Sequence, residues 1–79
     1  MVTVRYFAAA RAAAGRSEER VAAGTLDELV SSLADTHGGR LATVLSTSSY
    51  LVDGLTCHDR GAPLPAGATV DVLPPFAGG

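Results

Sequence analysis

Val70-Asp71-Val72-Leu73-Pro74-Pro75-Phe76-Ala77-Gly78-Gly79 (residues 70–79) begins as a strand and ends as something a sheet cannot hold. Proline fixes φ near the extended value and has no N–H to offer a neighbouring strand, so Pro74 and Pro75 stop the strand and aim the chain away from it. Phe76 to Gly79, fully extended, reach about 13 Å, enough to thread a narrow channel in a partner. Gly78 and Gly79 lack a Cβ and would let another backbone approach closely, leaving a terminal carboxylate unshielded. A diglycine pair by itself is a common frayed end. Here it follows a β-branched strand and a double proline, nothing comes after it, and Phe76 places an aromatic on an otherwise exposed segment. The stretch divides the chain into a domain, residues 1–73, and a protruding, flexible tail, residues 74–79.

Working back from that strand, the other elements are short. Val2, Val4 and Tyr6 alternate with Thr3, Arg5 and Phe7, the period of a strand with one buried face, and the parity puts Phe7 on the outer face beside Arg5. Ala8 to Ala14 is alanine-rich and is followed by Gly15, which predicts one or two helical turns. Ser17 to Ala23 reads as a second strand, paired hairpin-like with the first. Thr25-Leu26-Asp27-Glu28 is a capping box, and Leu26, Leu29, Val30 and Leu33 form one apolar stripe, so a helix starts here and stops at Gly38-Gly39. Leu41 to Leu45 predicts a further turn before a Thr47-Ser48-Ser49 loop. Tyr50 to Thr56 reads as a hairpin turned at Asp53-Gly54. Pro63, Pro65 and Gly67 mark a loop before the last strand, Thr69 to Leu73. The order is α+β, with one main helix over a small mixed sheet.

Composition excludes several functions. A chain of 79 residues makes one domain with a small core and little room for a catalytic cleft. No apolar run approaches the ~18 residues of a membrane span, and the amino end carries charge where a signal peptide would be apolar, so a cytoplasmic protein is expected. Six basic and eight acidic residues give a net charge of −2 with no basic run, leaving nucleic acid binding without an electrostatic basis. All of the basic residues are arginine. A carboxyl-activated Gly79 therefore finds no lysine on another copy. Cys57, the single cysteine, excludes an internal disulfide and cannot by itself ligate an iron–sulfur cluster. It reads as a half-buried or incidental thiol. His37 and His58 read as exposed loop residues rather than metal ligands. Ser, His and Asp are present with no motif that gathers them into a triad, and no glycine pattern has the placement of a nucleotide site.

VDVLPPFAGG resembles the carboxy terminus of the MoaD/ThiS family of ubiquitin-like sulfur carriers, in which strand, double proline, apolar residue and terminal Gly-Gly recur together. Val4-Arg5-Tyr6-Phe7-Ala8, with Arg11 and Gly15, is similar to the first strand and short helix of the MoaD branch, the small subunit of molybdopterin synthase. Phe76 departs from the smaller aliphatic residue common in that branch. The resemblance implies a β-grasp fold, with the first and last strands side by side at the centre of the sheet. Val70 and Val72 would then face the core, while Phe7 and Leu73 would form an outer apolar patch beside the tail root. Arg5 and Arg11 would supply rim charges to that patch or simply be solvated. Phe76 would be an anchor in a partner's pocket.

The implied function is carriage of sulfur. An E1-like adenylyltransferase would use ATP to adenylate Gly79, and a sulfur-donating enzyme would convert it to a thiocarboxylate. A second enzyme would accept the tail of Pro74, Pro75, Phe76, Ala77, Gly78 and Gly79. In the MoaD branch that enzyme is the large subunit of molybdopterin synthase, acting on the cyclic pyranopterin precursor of molybdenum cofactor. The carrier would bind no cofactor or metal and contribute no catalytic side chain. Carriers of this type also serve thiamine, cysteine and natural-product biosynthesis. Two other readings stay open: a modifier joined through Gly79 to lysines of target proteins, and an interaction module with an inert tail.

Overall fold

Strand β1 (Val2–Tyr6) forms where branched and aromatic side chains alternate with Thr3 and Arg5. In the computed structural model, which describes residues 1–75, Val2, Val4 and Tyr6 are buried while Arg5 is exposed. Helix α1 (Ala8–Ala14) ends as expected at Gly15, whose φ of 76° lets its N–H donate back to the Arg11 carbonyl at 2.9 Å. Strand β2 (Glu18–Val21) pairs antiparallel with β1, from Val2 opposite Val21 to Arg5 opposite Glu18. It is shorter than the Ser17–Ala23 segment expected for it.

Helix α2 (Leu26–His37) starts at Thr25, whose Oγ1 accepts from the Glu28 N–H at 3.1 Å. Its stripe of Leu26, Leu29, Val30 and Leu33 is buried. Gly38, at φ 87°, ends it. Gly39 does not share in the stop. It opens helix α3 (Gly39–Thr47), nine residues where the sequence predicted a single turn, and Leu41 and Leu45 carry α3 into the same core.

Strands β3 (Ser49–Val52) and β4 (Leu55–Thr56) form the expected hairpin. Asp53 at φ 49° and Gly54 at φ 83° both take the left-handed region, the geometry of a tight turn that follows strand twist. Asp53 also accepts from the Thr69 N–H through Oδ1 at 2.9 Å, and its own N–H reaches the Thr69 carbonyl at 2.8 Å. That fixes the hairpin tip to the start of β5 (Thr69–Leu73).

The sheet order is β2-β1-β5-β3-β4, with β5 at the centre, parallel to β1 and antiparallel to β3. Val70 and Val72 lie under the helices at 0% exposure, against Val4, Tyr6, Leu29 and Leu45. The opposite face carries Thr3, Arg5, Asp71 and Leu73.

One sequence expectation is corrected here. His37 is no exposed loop residue: it is the last residue of α2, with a side chain only 12% exposed, and its Nε2 lies 2.8 Å from Glu19 Oε1. Asp71 points outward as parity required yet is buried, because Arg5 covers it. His58 is exposed and Cys57 half-buried, as read from the sequence. Phe76, Ala77, Gly78 and Gly79, the expected free length of the tail, lie outside the described residues.

Candidate functional site at the root of the tail

β5 delivers Leu73 to the rim of the sheet, and the exposed Pro74 and Pro75 continue from it. Phe7 stands beside them because the parallel ladder runs one residue past β1: the Phe7 N–H donates to the Val72 carbonyl at 3.1 Å. Ala8 then turns the chain into α1 with φ at 52°, a left-handed conformation that costs a non-glycine residue ~1–2 kcal/mol. The turn leaves Phe7, at 36% exposure, projecting next to Leu73 instead of folding under the helix.

Phe7 and Leu73 line one groove together with Ala9, Ala10, Val44, Thr47, Ser48, Pro74 and Pro75. Its volume is about 120 Å³. One wall is α1 and the far wall is the end of α3. The two hydroxyls on that wall are turned inward to the Val44 carbonyl, which accepts from Thr47 Oγ1 at 3.2 Å and from Ser48 Oγ at 2.7 Å. The groove is therefore apolar in effect as well as in composition. The sequence placed Phe7 and Leu73 together, but it did not show Val44, Thr47 and Ser48, because α3 was read as a turn and a loop. The i, i+3, i+4 spacing of Leu41, Val44 and Leu45 was the signal for it.

On the open face, Arg5 grips Asp71 with two hydrogen bonds, Nε to Oδ1 at 2.6 Å and Nη2 to Oδ2 at 2.9 Å. The guanidinium carbon lies 5.7 Å from the centre of the Phe7 ring, within range of a cation–π contact. Hydrogen bonding to Asp71 and its charge raise the Arg5 pKa further above its usual value. Arg5 thus serves two neighbours, bracing Phe7 while neutralising a buried carboxylate. Arg11 is exposed on α1.

Other chemistry-bearing residues lie elsewhere. Cys57, His58, Arg60 and Tyr50 line a second hollow beside β3 and β4. The Cys57 thiol donates to the Asp59 carbonyl at 3.5 Å, and the buried Tyr50 hydroxyl donates to the Leu45 carbonyl at 2.8 Å. Among the described residues no group of three or more His, Cys, Asp and Glu side chains is placed to hold a metal ion. Among the same residues no helix is long and apolar enough to cross a membrane. Glu19 is held by Tyr6 at 2.7 Å, His37 at 2.8 Å and Arg16 at 3.1 Å, under the sheet's helical face, where it fixes the end of α2.

A five-stranded mixed sheet grasping its helices, with parallel first and last strands at its centre, is the β-grasp fold of ubiquitin-like proteins. Solved structures share it over nearly the whole chain. Small archaeal modifier protein 1 from Methanosarcina acetivorans superimposes with a TM-score of 0.85 at 23% identity, covering 99% of this chain and 95% of that one. In the complex of subunits 1 and 2 of molybdopterin-converting factor from Helicobacter pylori 26695, the matching chain gives 0.74 at 24% identity, with 99% and 97% covered. The BexX/CysO complex of Amycolatopsis orientalis gives 0.78 at 21% identity, with 100% of both chains covered. No curated protein sequence matches the chain.

The ThiS family model matches residues 4–79, and the chain belongs to that family. It is accordingly a ubiquitin-like protein of the MoaD/ThiS carrier and modifier class, which is not catalytic on its own. Proteins of this class bind no cofactor and are activated by an E1-like enzyme that uses ATP.

Proposed function

We propose that residues 1–73 are a body that presents residues 74–79 to other proteins, and that Gly79 carries sulfur as a thiocarboxylate in molybdenum cofactor biosynthesis. The chain would act as the small subunit of molybdopterin synthase. The observation that carries this reading is the root of the tail: Pro74 and Pro75 leave the central strand directly beside the projecting Phe7 and Leu73. A partner that docks on that apolar patch receives the following residues pointing into it. Its active site then supplies the chemistry, and the carrier supplies reach and position.

The Gly79 carboxylate attacks ATP on an E1-like enzyme, giving the acyl-adenylate and pyrophosphate. Hydrosulfide delivered by the sulfur donor then displaces AMP and leaves a thiocarboxylate. Docked on the large subunit of molybdopterin synthase, that sulfur attacks a carbon of the cyclic pyranopterin precursor with loss of an oxygen substituent, and water then cleaves the resulting thioester, leaving the sulfur on the product and restoring the Gly79 carboxylate. Likeness to subunit 1 or 2 of the H. pylori complex and the YFA-to-Arg11 segment favour this branch. The likeness to the BexX/CysO complex supports a second reading, in which the same terminus serves another sulfur-insertion pathway. The likeness to archaeal modifier proteins supports a third, attachment to lysines of target proteins. Since the chain has no lysine, lysine-linked chains of its own copies are excluded.

Intact mass, with fragmentation, after incubation with ATP, sulfide and the host's E1-like enzyme tests the proposal. One oxygen replaced by sulfur at Gly79 is expected, and an unmodified terminus overturns it. Turnover of the pyranopterin precursor by the host's large subunit plus the sulfurated chain decides the branch. Adducts on other proteins' lysines would instead mark a modifier. Deletion of Gly79 should abolish sulfur transfer and leave the melting temperature unchanged.

A further inference from the structure

We infer that the open edge of β2 is the surface on which a second copy of this chain pairs, strand against strand, about a twofold axis through Glu19. The sheet ends at β2 on one side and at β4 on the other. β4 is only Leu55 and Thr56, too short to template another strand. β2 offers Glu18, Glu19, Arg20 and Val21 in unbroken register, with no proline or lysine to blunt the edge.

The ladder with β1 decides which groups that edge presents. The Tyr6 N–H donates to the Ser17 carbonyl at 2.8 Å, and hydrogen-bonded pairs recur at every second residue of an antiparallel ladder, so Glu19 and Val21 turn their main chain toward Val4 and Val2. The N–H and C=O of Glu18 and Arg20 therefore point out of the sheet, and among the described residues no loop or helix backbone bonds to them. A second copy running antiparallel, with its Arg20 opposite Glu18, exchanges both main-chain bonds at each of the symmetric pairs.

The side chains select that register. Glu18 and Arg20 are exposed, and neither has an ion-pair partner among the described residues. Set opposite each other across the axis they pair as unlike charges. Glu18 already stands across from Arg5, and Arg5 across from Asp71, so Arg20 of the second copy continues a row of alternating sign. Moving the axis to Glu18 or to Arg20, the neighbouring registers that keep the hydrogen bonds, puts like charges face to face. Glu19 meets its own copy on the helical face, but its carboxylate is already held by Tyr6, His37 and Arg16. The pairing buries little apolar surface, which makes it a weak interface with a dissociation constant on the order of 10⁻⁴ M. Five strand spacings, about 24 Å, then separate β5 from its copy, and both tail roots stay open to partners. The pairing does not depend on sulfur carriage.

Sedimentation equilibrium of the full chain from about 10 µM to about 1 mM, with amide hydrogen exchange at both ends of that range, tests the inference. Expected is a rise in mass from 8.0 kDa toward twice that value, with slowed exchange of the Glu18 and Arg20 amides. Glu18→Arg and Arg20→Glu should each weaken association about tenfold or more, because each sets like charges opposite at both pairs. Mixed in equal amounts, the two variants should associate again, since the mixed dimer restores unlike charges at both positions. A native chain that stays at 8.0 kDa throughout overturns the inference. So does a dimer indifferent to both reversals, or a mixture of folded variants that does not associate. Should a single variant fail to fold, the native chain decides: Glu18 and Arg20 amides that exchange equally fast at both concentrations overturn the pairing.

Discussion

Asp71 and Glu19 are carboxylates on opposite faces of the sheet, and each is held by partners from distant parts of the chain. Asp71 stands at 7% exposure on an open face because the Arg5 guanidinium lies over it. The alternation of β5 shows that Asp71 points outward. It does not show what covers it, since the register between strands 66 positions apart is a tertiary fact. Glu19 was hidden for the same reason, as its partners Tyr6 and His37 lie 13 and 18 positions away. Burial alone would raise the Glu19 carboxyl, but hydrogen bonds from His37 and Tyr6, with the charge of Arg16, outweigh it and hold the pKa below its ordinary 4.5. A carboxyl depressed by folding stabilises the native state fully above its unfolded pKa, and the contribution is lost as pH falls through the folded value. Urea unfolding of the native chain and of Glu19→Gln, run from about pH 5 to about pH 3, should therefore show a stability difference that shrinks with acidity. A constant difference would mean that the carboxylate is not held by its partners.

At the scale of elements, the cap, the apolar stripe and the Gly38 stop of helix α2 were legible because they are local signals, although His37, its last residue, was read as a loop residue. Thr25 is its N-cap, and Thr25→Ala should cost about 1 kcal/mol. In a domain of this size that lowers the melting temperature by ~4–8 °C, and an unchanged melt would show that the cap contributes nothing. Helix α3 was not legible, for reasons that can be named. Gly38-Gly39 looked like a double stop, whereas only Gly38 takes a positive φ and Gly39 is free to begin the next helix. The Ser and Thr residues at its end looked like a loop, since such side chains compete for backbone groups. Here they bond back onto the helix: Ser46 Oγ donates to the Thr43 carbonyl at 2.6 Å, and Thr43 Oγ1 to the Gly39 carbonyl at 3.0 Å. The sequence therefore revealed half of the groove, the side built from β1, α1 and β5, and missed the side built from α3.

For the molecule as a whole, the parallel pairing of β1 with β5 brings Phe7 to the tail root, and period-2 alternation alone could not have placed the two strands next to each other. That adjacency came from the resemblance of residues 70–79, and the register of Tyr6 opposite Val72 agrees with it. Phe7 is far enough out of the core that Phe7→Glu should melt with the native chain while weakening docking of the E1-like enzyme roughly tenfold or more. Full adenylation of Gly79 by that enzyme at native concentrations would remove Phe7 from the interface. The central position of β5 also bears on how the protein is made. Without residues 69–73 the sheet falls into two separate hairpins, β1 with β2 and β3 with β4, and an isolated two-stranded hairpin is marginal in water at best. A nascent chain still short of Thr69 on the ribosome has no sheet to close, and a transcript cut before that codon yields a product open to proteases. The cell is thereby spared a folded body that lacks the strand from which the tail departs.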